Sequence, residues 1–417
     1  MDLDHIDLLD RDRFTEGIPH EWFTALRQQA PIYRHPEPDG PGFWVFTKHE
    51  DVVAIGRDAR HFSSDQARGG VVGLEELTAE EREANSRMES GNMMLTMDPP
   101  GHTRYRKLVN RGFTPRMISM LELRIREVTA RIVADGVAKG DVDFVVDMAS
   151  ELPLIVIAEL MGVPQEDRHK LFGWSNQMIG ADDPEYAVDA AQVQQAFVDM
   201  FFYAQQLADT RKAKPEDDII TKLLSADVDG DQLTEMDFNL FFLLLAVAGN
   251  ETTRNAIAHA MNAFLEHPDQ YARLVEHPEL IEPAVEEILR WASPVMYFRR
   301  NVTEDLDYKG HQLRAGDKAS VWYVSANRDE DVFEDPFRFD ITRSPNNHVA
   351  FGGGGPHHCL GSSLARMEIR LFYEELARRV PRLEALDAPK RLRSNFIGGI
   401  KHLPVRFHAA DGAAVAV

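Results

Sequence analysis

The sequence predicts a mainly α-helical protein with a smaller β-containing subdomain. Three observations carry that expectation. Apolar residues recur at helical spacing across most of residues 99–265. Strand-like pieces are confined to residues 31–46, 307–324 and 394–407, and residues 234–266 read as one helix with a start signal, an apolar body and a proline stop. The length of 417 residues permits two or three domains, but no internal repeat, low-complexity tract or long Gly/Ser linker divides the chain. One large domain over 1–417 is expected.

In chain order, residues 20–29 read as a helix. Strands at 31–34 and 42–46 follow, split by the turn-rich 36–41. Helices are expected at 116–138, 149–161, 165–179, 186–212 and 217–224. Thr234 and Asp237 form a capping pair for the next helix, which His267-Pro268 ends after roughly 50 Å at 1.5 Å per residue. A helix over 281–291 stops ahead of Pro294. Short strands at 307–324, an irregular stretch at 329–348, a glycine-rich loop, a helix to about 379 and closing strands complete the chain.

Composition narrows the function classes. The formal charge of −22 disfavours nucleic acid and anionic membranes as partners. The acidic cluster 75–83 reads as solvated surface, whereas Arg104, Arg106, Lys107, Arg111 and Arg116 form a basic stretch, and Arg366 and Arg370 a second. The acidic start of the chain lacks the basic and apolar regions of a signal peptide, and the most apolar run, 241–249, is too short to span a bilayer. A soluble, cytoplasmic protein without a stable membrane anchor is expected. The single cysteine excludes an intrachain disulfide and suits a reducing compartment.

That cysteine, Cys359, closes the run Phe351-Gly-Gly-Gly-Gly-Pro-His-His-Cys359-Leu-Gly361, directly ahead of a helix. Small residues let backbone approach a flat ligand, and backbone N–H groups with a helix N-terminus stabilise a thiolate. Cys359 is therefore expected to be anionic and to ligate a metal centre. A phosphate cradle, a nucleophilic cysteine and an inert buried thiol compete with this reading. No Gly-Lys-Ser/Thr follows the glycines, and the adjacent His357 and His358 make poor dyad partners because such a partner is normally brought in by the fold.

The residues Phe351, Gly352, Gly354, His357, Cys359 and Gly361 resemble the haem-binding loop of cytochrome P450 enzymes, whose cysteine thiolate is the proximal iron ligand. Other signatures occur in family order. Ala248-Gly249-Asn250-Glu251-Thr252-Thr253 lies inside the long helix, where glycine costs about 1 kcal/mol relative to alanine and threonine can distort the ladder. It resembles the family's oxygen-activation motif, which implies that Ala248 and Gly249 open a groove and that Glu251 and Thr252 deliver protons. Glu287 and Arg290 share a helix face and, with Arg338 of Pro336-Phe-Arg338-Phe339, resemble the family's structural charge network. His102 and Arg106, at i and i+4 after Asp98-Pro-Pro-Gly, join Arg300 and His357 as implied propionate contacts, with a one-residue ambiguity between Arg299 and Arg300.

Two departures stand out. The cysteine loop is one residue longer than in many bacterial relatives, and Asn250 replaces a residue that is often hydrophobic. The long loop, together with Ala248-Gly-Asn-Glu-Thr-Thr253, Trp291-Ala-Ser-Pro-Val and Gly399-Ile-Lys-His-Leu-Pro-Val, resembles the actinobacterial branch that hydroxylates sterol side chains and methyl-branched lipids.

The resemblance implies the cytochrome P450 fold, a long central helix over haem b, and a monooxygenase acting on an elongated lipophilic substrate. Met88, Met93, Met94 and Met97, with Val295, Met296, Tyr297 and Phe298, are the candidate apolar lining. Hydroxylation of a compact monoterpene or aromatic, a peroxide-driven peroxygenase and a non-enzymatic haem sensor or carrier are the alternatives. One cysteine cannot hold an iron–sulfur cluster, so a ferredoxin-type partner with its reductase is expected to supply electrons. Lys107, Arg111, Arg366 and Arg370 are expected to help dock it.

Overall fold

A 32-residue helix, Glu235–Glu266, runs about 48 Å through the protein. Its start is fixed as the sequence predicts: Thr234 Oγ1 accepts from Asp237 N at 3.1 Å while Asp237 accepts from Thr234 N at 3.2 Å. Phe241, Phe242, Ala256, Ile257, Met261 and Phe264 are all buried, so most of its circumference is core, as expected of a helix apolar nearly all round. The computed structural model describes residues 1–76, 93–110, 113, 115–186, 189–216, 218–227, 230 and 232–408, with 115–118 and 120 as backbone alone. Met88, Arg111, the side chain of Arg116 and the acidic residues past 76 therefore lie outside the described residues.

Around the long helix we number α1 His20–Gln29, α2 His49–Arg57, α3 Gly101–Val109, α4 Pro115–Lys139, α5 Glu151–Leu160, α6 Arg168–Ile179, α7 Ala190–Ala213, α8 Glu235–Glu266, α9 Ile281–Ala292 and α10 Ser362–Arg379. Most match the sequence expectation. Helix α7 begins at Ala190 and not at 186, because the Asp189 carboxylate accepts from Gln192 N at 2.9 Å and caps it there. A π-turn at Val145–Ala149 precedes α5, and Pro153 falls in the first turn of α5, where its missing N–H costs nothing. Helix α2 is not foreseen: it is nine residues long and lacks a side-chain N-cap.

The main sheet joins distant parts of the chain. Strands β1 Ile32–His35, β2 Phe43–Phe46, β3 Phe62–Ser63, β4 Tyr297–Val302 and β5 Lys318–Trp322 pair in the order β1-β2-β5-β4-β3. The β2–β5 pairing is parallel, with Phe43 opposite Lys318, and the others are antiparallel. Strand β4 escapes the sequence pattern because the polar Arg300 and Asn301 are buried in it, which removes the alternation. A smaller three-stranded sheet places Pro404–His408 between Asp141–Asp143 and Arg382–Ala385.

A buried ion pair ties α9 to the segment that leads into the cysteine loop. Glu287 and Arg290 are both fully buried and meet through two bonds, Nε to Oε2 at 2.7 Å and Nη2 to Oε1 at 2.8 Å. The third side chain is Arg343, whose Nε reaches Glu287 Oε2 at 3.1 Å, and not Arg338. Arg338 points to solvent and contributes only its carbonyl, which accepts from Arg290 and Arg343. The carry-over from sequence is thus corrected by five residues: the irregular backbone returns Arg343, not Arg338, to the buried carboxylate. Asn327 extends the network, accepting from Val349 N at 2.8 Å just ahead of Phe351.

Removing one member of a buried pair leaves an uncompensated charge costing about 3–5 kcal/mol. Glu287→Ala is therefore expected to yield misfolded or haem-free protein, and Arg343→Ala to be clearly destabilised. Arg338→Ala should stay within about 0.5 kcal/mol of wild type, as exposed substitutions do. Thermal unfolding of the three variants checks this, and a loss for Arg338→Ala equal to that for Arg343→Ala would contradict it.

Candidate haem and substrate site

The middle of α8 and the loop 351–361 face each other across a cavity. Ala248, Gly249 and Thr252 line the α8 wall, and Phe351, Gly354, His357, Cys359 and Gly361 line the wall opposite. His102 and Arg106 from α3 and Arg300 from β4 line one edge.

The cysteine loop owes its glycines to α2. Gly352, Gly354 and Gly355 all have positive φ, and a Cβ on Gly355 would sit 2.2 Å from the Gly56 carbonyl oxygen. A Cβ on Gly353 would lie 2.8 Å from Val53 Cα. The loop lies directly on helix backbone, which leaves no room for side chains. It then turns so that Cys359 N donates to the Phe351 carbonyl at 3.1 Å and the cysteine side chain is exposed to the cavity.

Burial raises the Cys359 thiol above its ordinary value, and the Gly361 N–H and the Arg106 and Arg366 charges offset this only in part. The sulfur faces an internal cavity with protein on nearly every other side, so the desolvation cost outweighs the helix terminus. A bound metal cation would reverse that balance, since a coordinating thiol is deprotonated outright.

The cavity edge asks for an anion. Both ring nitrogens of His102 are buried without a hydrogen-bond partner, and burial followed by the Arg106 charge lowers its pKa to about 4. Arg106 spends Nη1 on the Pro356 carbonyl at 3.2 Å. The His357 ring packs on His102 at 4.2 Å between centroids and meets the Met97 carbonyl at 3.0 Å. Arg300 resolves the ambiguity with its neighbour: it lines the cavity, while Arg299 turns away to Asn301 and the Gly73 carbonyl. A buried donor edge, a thiol in the opposite wall and small residues between fit a flat dianionic cofactor such as haem.

The α8 motif is only partly as expected. Thr252 Oγ1 donates to the Ala248 carbonyl at 2.7 Å, so it offers lone pairs to the cavity. Gly249 lines the cavity, but its absent Cβ also makes way for Ile157, whose Cδ1 would lie 2.6 Å from it. Glu251 does not line the cavity. It is buried against Arg254, which is held in turn by Asn176 Oδ1 of α6 at 2.9 Å. Burial raises the Glu251 pKa against the opposing Arg254 charge.

Of the expected apolar lining, Met94, Val295 and Phe298 face the cavity. Met296 and Tyr297 belong to a separate core with Phe23 and Trp322, and Met93 and Met97 pack against the main core. Of the expected docking residues, Arg366 is held by Glu286 and Arg370 by Glu122 and Glu374, whereas Lys107 is exposed. Sequence reasoning missed Glu368. This cavity-lining carboxyl on α10 has no hydrogen-bond partner for Oε2, and burial pushes its pKa far up. One acid in a helix rich in charge gave no signal.

Fold and site define a haem-thiolate monooxygenase, and comparison with known proteins agrees: the chain belongs to the cytochrome P450 family, whose model matches residues 171–380. It is 45% identical over 412 residues to a steroid C26-monooxygenase of Rhodococcus jostii, covering 97% of this chain and 85% of that protein. It is 42% identical over 393 residues to a methyl-branched lipid omega-hydroxylase of Mycobacterium tuberculosis, covering 92% and 90%. Among solved structures, a Mycobacterium marinum cytochrome P450 in complex with pseudoionone superposes with a TM-score of 0.88 at 38% identity, over 98% of this chain and 99% of that one. Among the described residues no helix is long and apolar enough to cross a membrane.

The fit of loop to helix predicts the effect of one methyl group. Gly355→Ala, strained at φ +80° and facing the Gly56 carbonyl, should cost about 1–3 kcal/mol and lower haem retention. Haem content after gel filtration, with thermal unfolding, measures this; full retention at wild-type stability would contradict the packing argument.

Proposed function

We propose that this enzyme hydroxylates an elongated lipophilic molecule, a sterol side chain or a methyl-branched fatty acyl or isoprenoid chain, near its end. The observation that carries the reading is the identity of 42–45% to relatives that oxidise steroid C26 or the omega end of methyl-branched lipids. The cavity supports it, with apolar side chains from Met94, Leu95, Val295 and Phe298 in its lining. Burying an apolar chain contributes about 25 cal/mol per Å².

In this reading Cys359 would ligate the iron, His102, Arg106, Arg300 and His357 would hold the propionates, and Phe351, Gly354 and Gly361 shape the loop. The haem supplies dioxygen activation and oxygen insertion when bound. The chain's own groups handle position and protons. Ala248 and Gly249 leave space at the α8 wall. Thr252, its hydrogen already given to Ala248, presents oxygen lone pairs that orient a water or hydroxyl in the cavity. Glu251 must leave Arg254 to pass a proton toward that point. A ferredoxin served by a reductase, in the cytoplasm, supplies electrons, since the one cysteine leaves no ligands for a cluster.

Thr252→Ala should still bind oxygen but lose coupling, so that product per reduced cofactor falls several-fold while peroxide rises. A product ratio equal to wild type would remove Thr252 from proton handling. Substrate class is tested by difference spectra across long-chain lipids, sterols, terpenes and aromatics, followed by product analysis. Sterols or methyl-branched chains should perturb the haem spectrum and be oxidised near the chain end. If only a small terpene or aromatic does so, the substrate reading fails while the enzyme class stands.

A further inference from the structure

The outer side of the cysteine loop carries an ion pair that partner docking does not explain. Arg366, on α10 seven residues after Cys359, donates Nε and Nη2 to the two oxygens of Glu286 on α9, at 2.6 and 2.9 Å. The second of those oxygens also meets His348 Nε2 at 3.0 Å. Ala350 N donates to His348 Nδ1 at 3.2 Å, so the grip extends into the chain entering the loop. Both members are about one-third exposed, 37% and 32%.

Held this way, the guanidinium lies over the Phe351 ring, with Cζ 4.6 Å from the centroid. Phe351 is the residue whose carbonyl accepts the Cys359 N–H. The two-point grip on a carboxylate fixes the plane of the arginine, and the ring face attracts its charge. A long cationic side chain that would otherwise sweep solvent is thereby pinned beside the backbone that presents the sulfur.

We propose that Glu286 and Arg366 are positioning residues that set how strongly the Cys359 thiolate donates to iron, through a cation fixed over Phe351. The proposal rests on the haem-thiolate reading of Cys359. A positive charge beside the sulfur draws electron density from it and favours the reduced metal, whereas the Glu286 carboxylate opposes that effect. Groups just outside the ligands are a recognised lever on a metal's potential. The pair therefore acts with two opposite signs, which packing alone would not produce.

The test uses the full-length, haem-loaded protein without any redox partner and compares Arg366→Gln, Arg366→Lys and Glu286→Gln. The readouts are the midpoint potential and the C–O stretching frequency of the reduced carbon monoxide complex. Arg366→Gln should shift the potential negative and lower the stretch, Arg366→Lys should fall between it and wild type, and Glu286→Gln should shift the potential positive. A wild-type potential and C–O stretch in Arg366→Gln would overturn the proposal. Shifts of the same sign in Arg366→Gln and Glu286→Gln would overturn it too, because the pair would then act through packing. Should Arg366→Gln fail to load haem, the lysine and Glu286→Gln variants decide by the same criteria. Absence of a thiolate-type spectrum in the wild type would instead sink the ligand reading beneath it.

Discussion

The buried carboxylate of Glu287 is the point on which the rest of the structure hangs. Moving a carboxylate out of water costs several kcal/mol unless its lone pairs are filled, and here two arginines, the Asp340 N–H and the Asn346 amide fill them. Those donors come from α9 and from the irregular chain after β5. Satisfying one charge therefore fixes a segment that has little regular secondary structure of its own. Arg290 in turn donates to the carbonyls of Asn327 and Pro336, and Asn327 receives Val349 N. The loop bearing Cys359 inherits its starting position from this chain of bonds.

From the other side, α8 supplies a rigid wall. Its capping box and long buried surface hold the helix in place, so the glycine and threonine at its centre can be tolerated. The cavity lies where a helix with small residues passes a loop with none but glycines at its crown. Polar groups around it sort by side: donors gather at the α3 and β4 edge, while the acid Glu368 is set on α10. Electrostatics thus orients a dianionic flat molecule before shape does.

Much of this was legible in the residues themselves. The helix over 235–266 announced its cap and its stop, and every cofactor residue named from the cysteine loop, from His102 and Arg106 and from Arg300 lines the same cavity. What could not be read depends on where irregular backbone returns a side chain. Arg338 and Arg343 are equally good arginines in sequence, and only the turn at 335–343 decides which faces Glu287. Glu251 stands beside Thr252 in sequence, yet one helical step of about 100° turns it away from the cavity. The four glycines were read as a cradle for a ligand, but two of them are there because of α2, a short helix with no cap to reveal it.

The order of strands in the main sheet bears on how the protein is made. Strand β2 pairs in parallel with β5, which leaves the ribosome some 270 residues later, and at 5–20 residues per second that is a wait of roughly 14–54 s. During it Phe43, Val45 and Phe46, all fully buried in the finished fold, have no central strand to cover them. The haem loop emerges later still, beyond β5 in the chain. Cofactor capture must therefore wait until after that pairing becomes possible, and the nascent N-terminal strands must be kept from sticking to their neighbours until then.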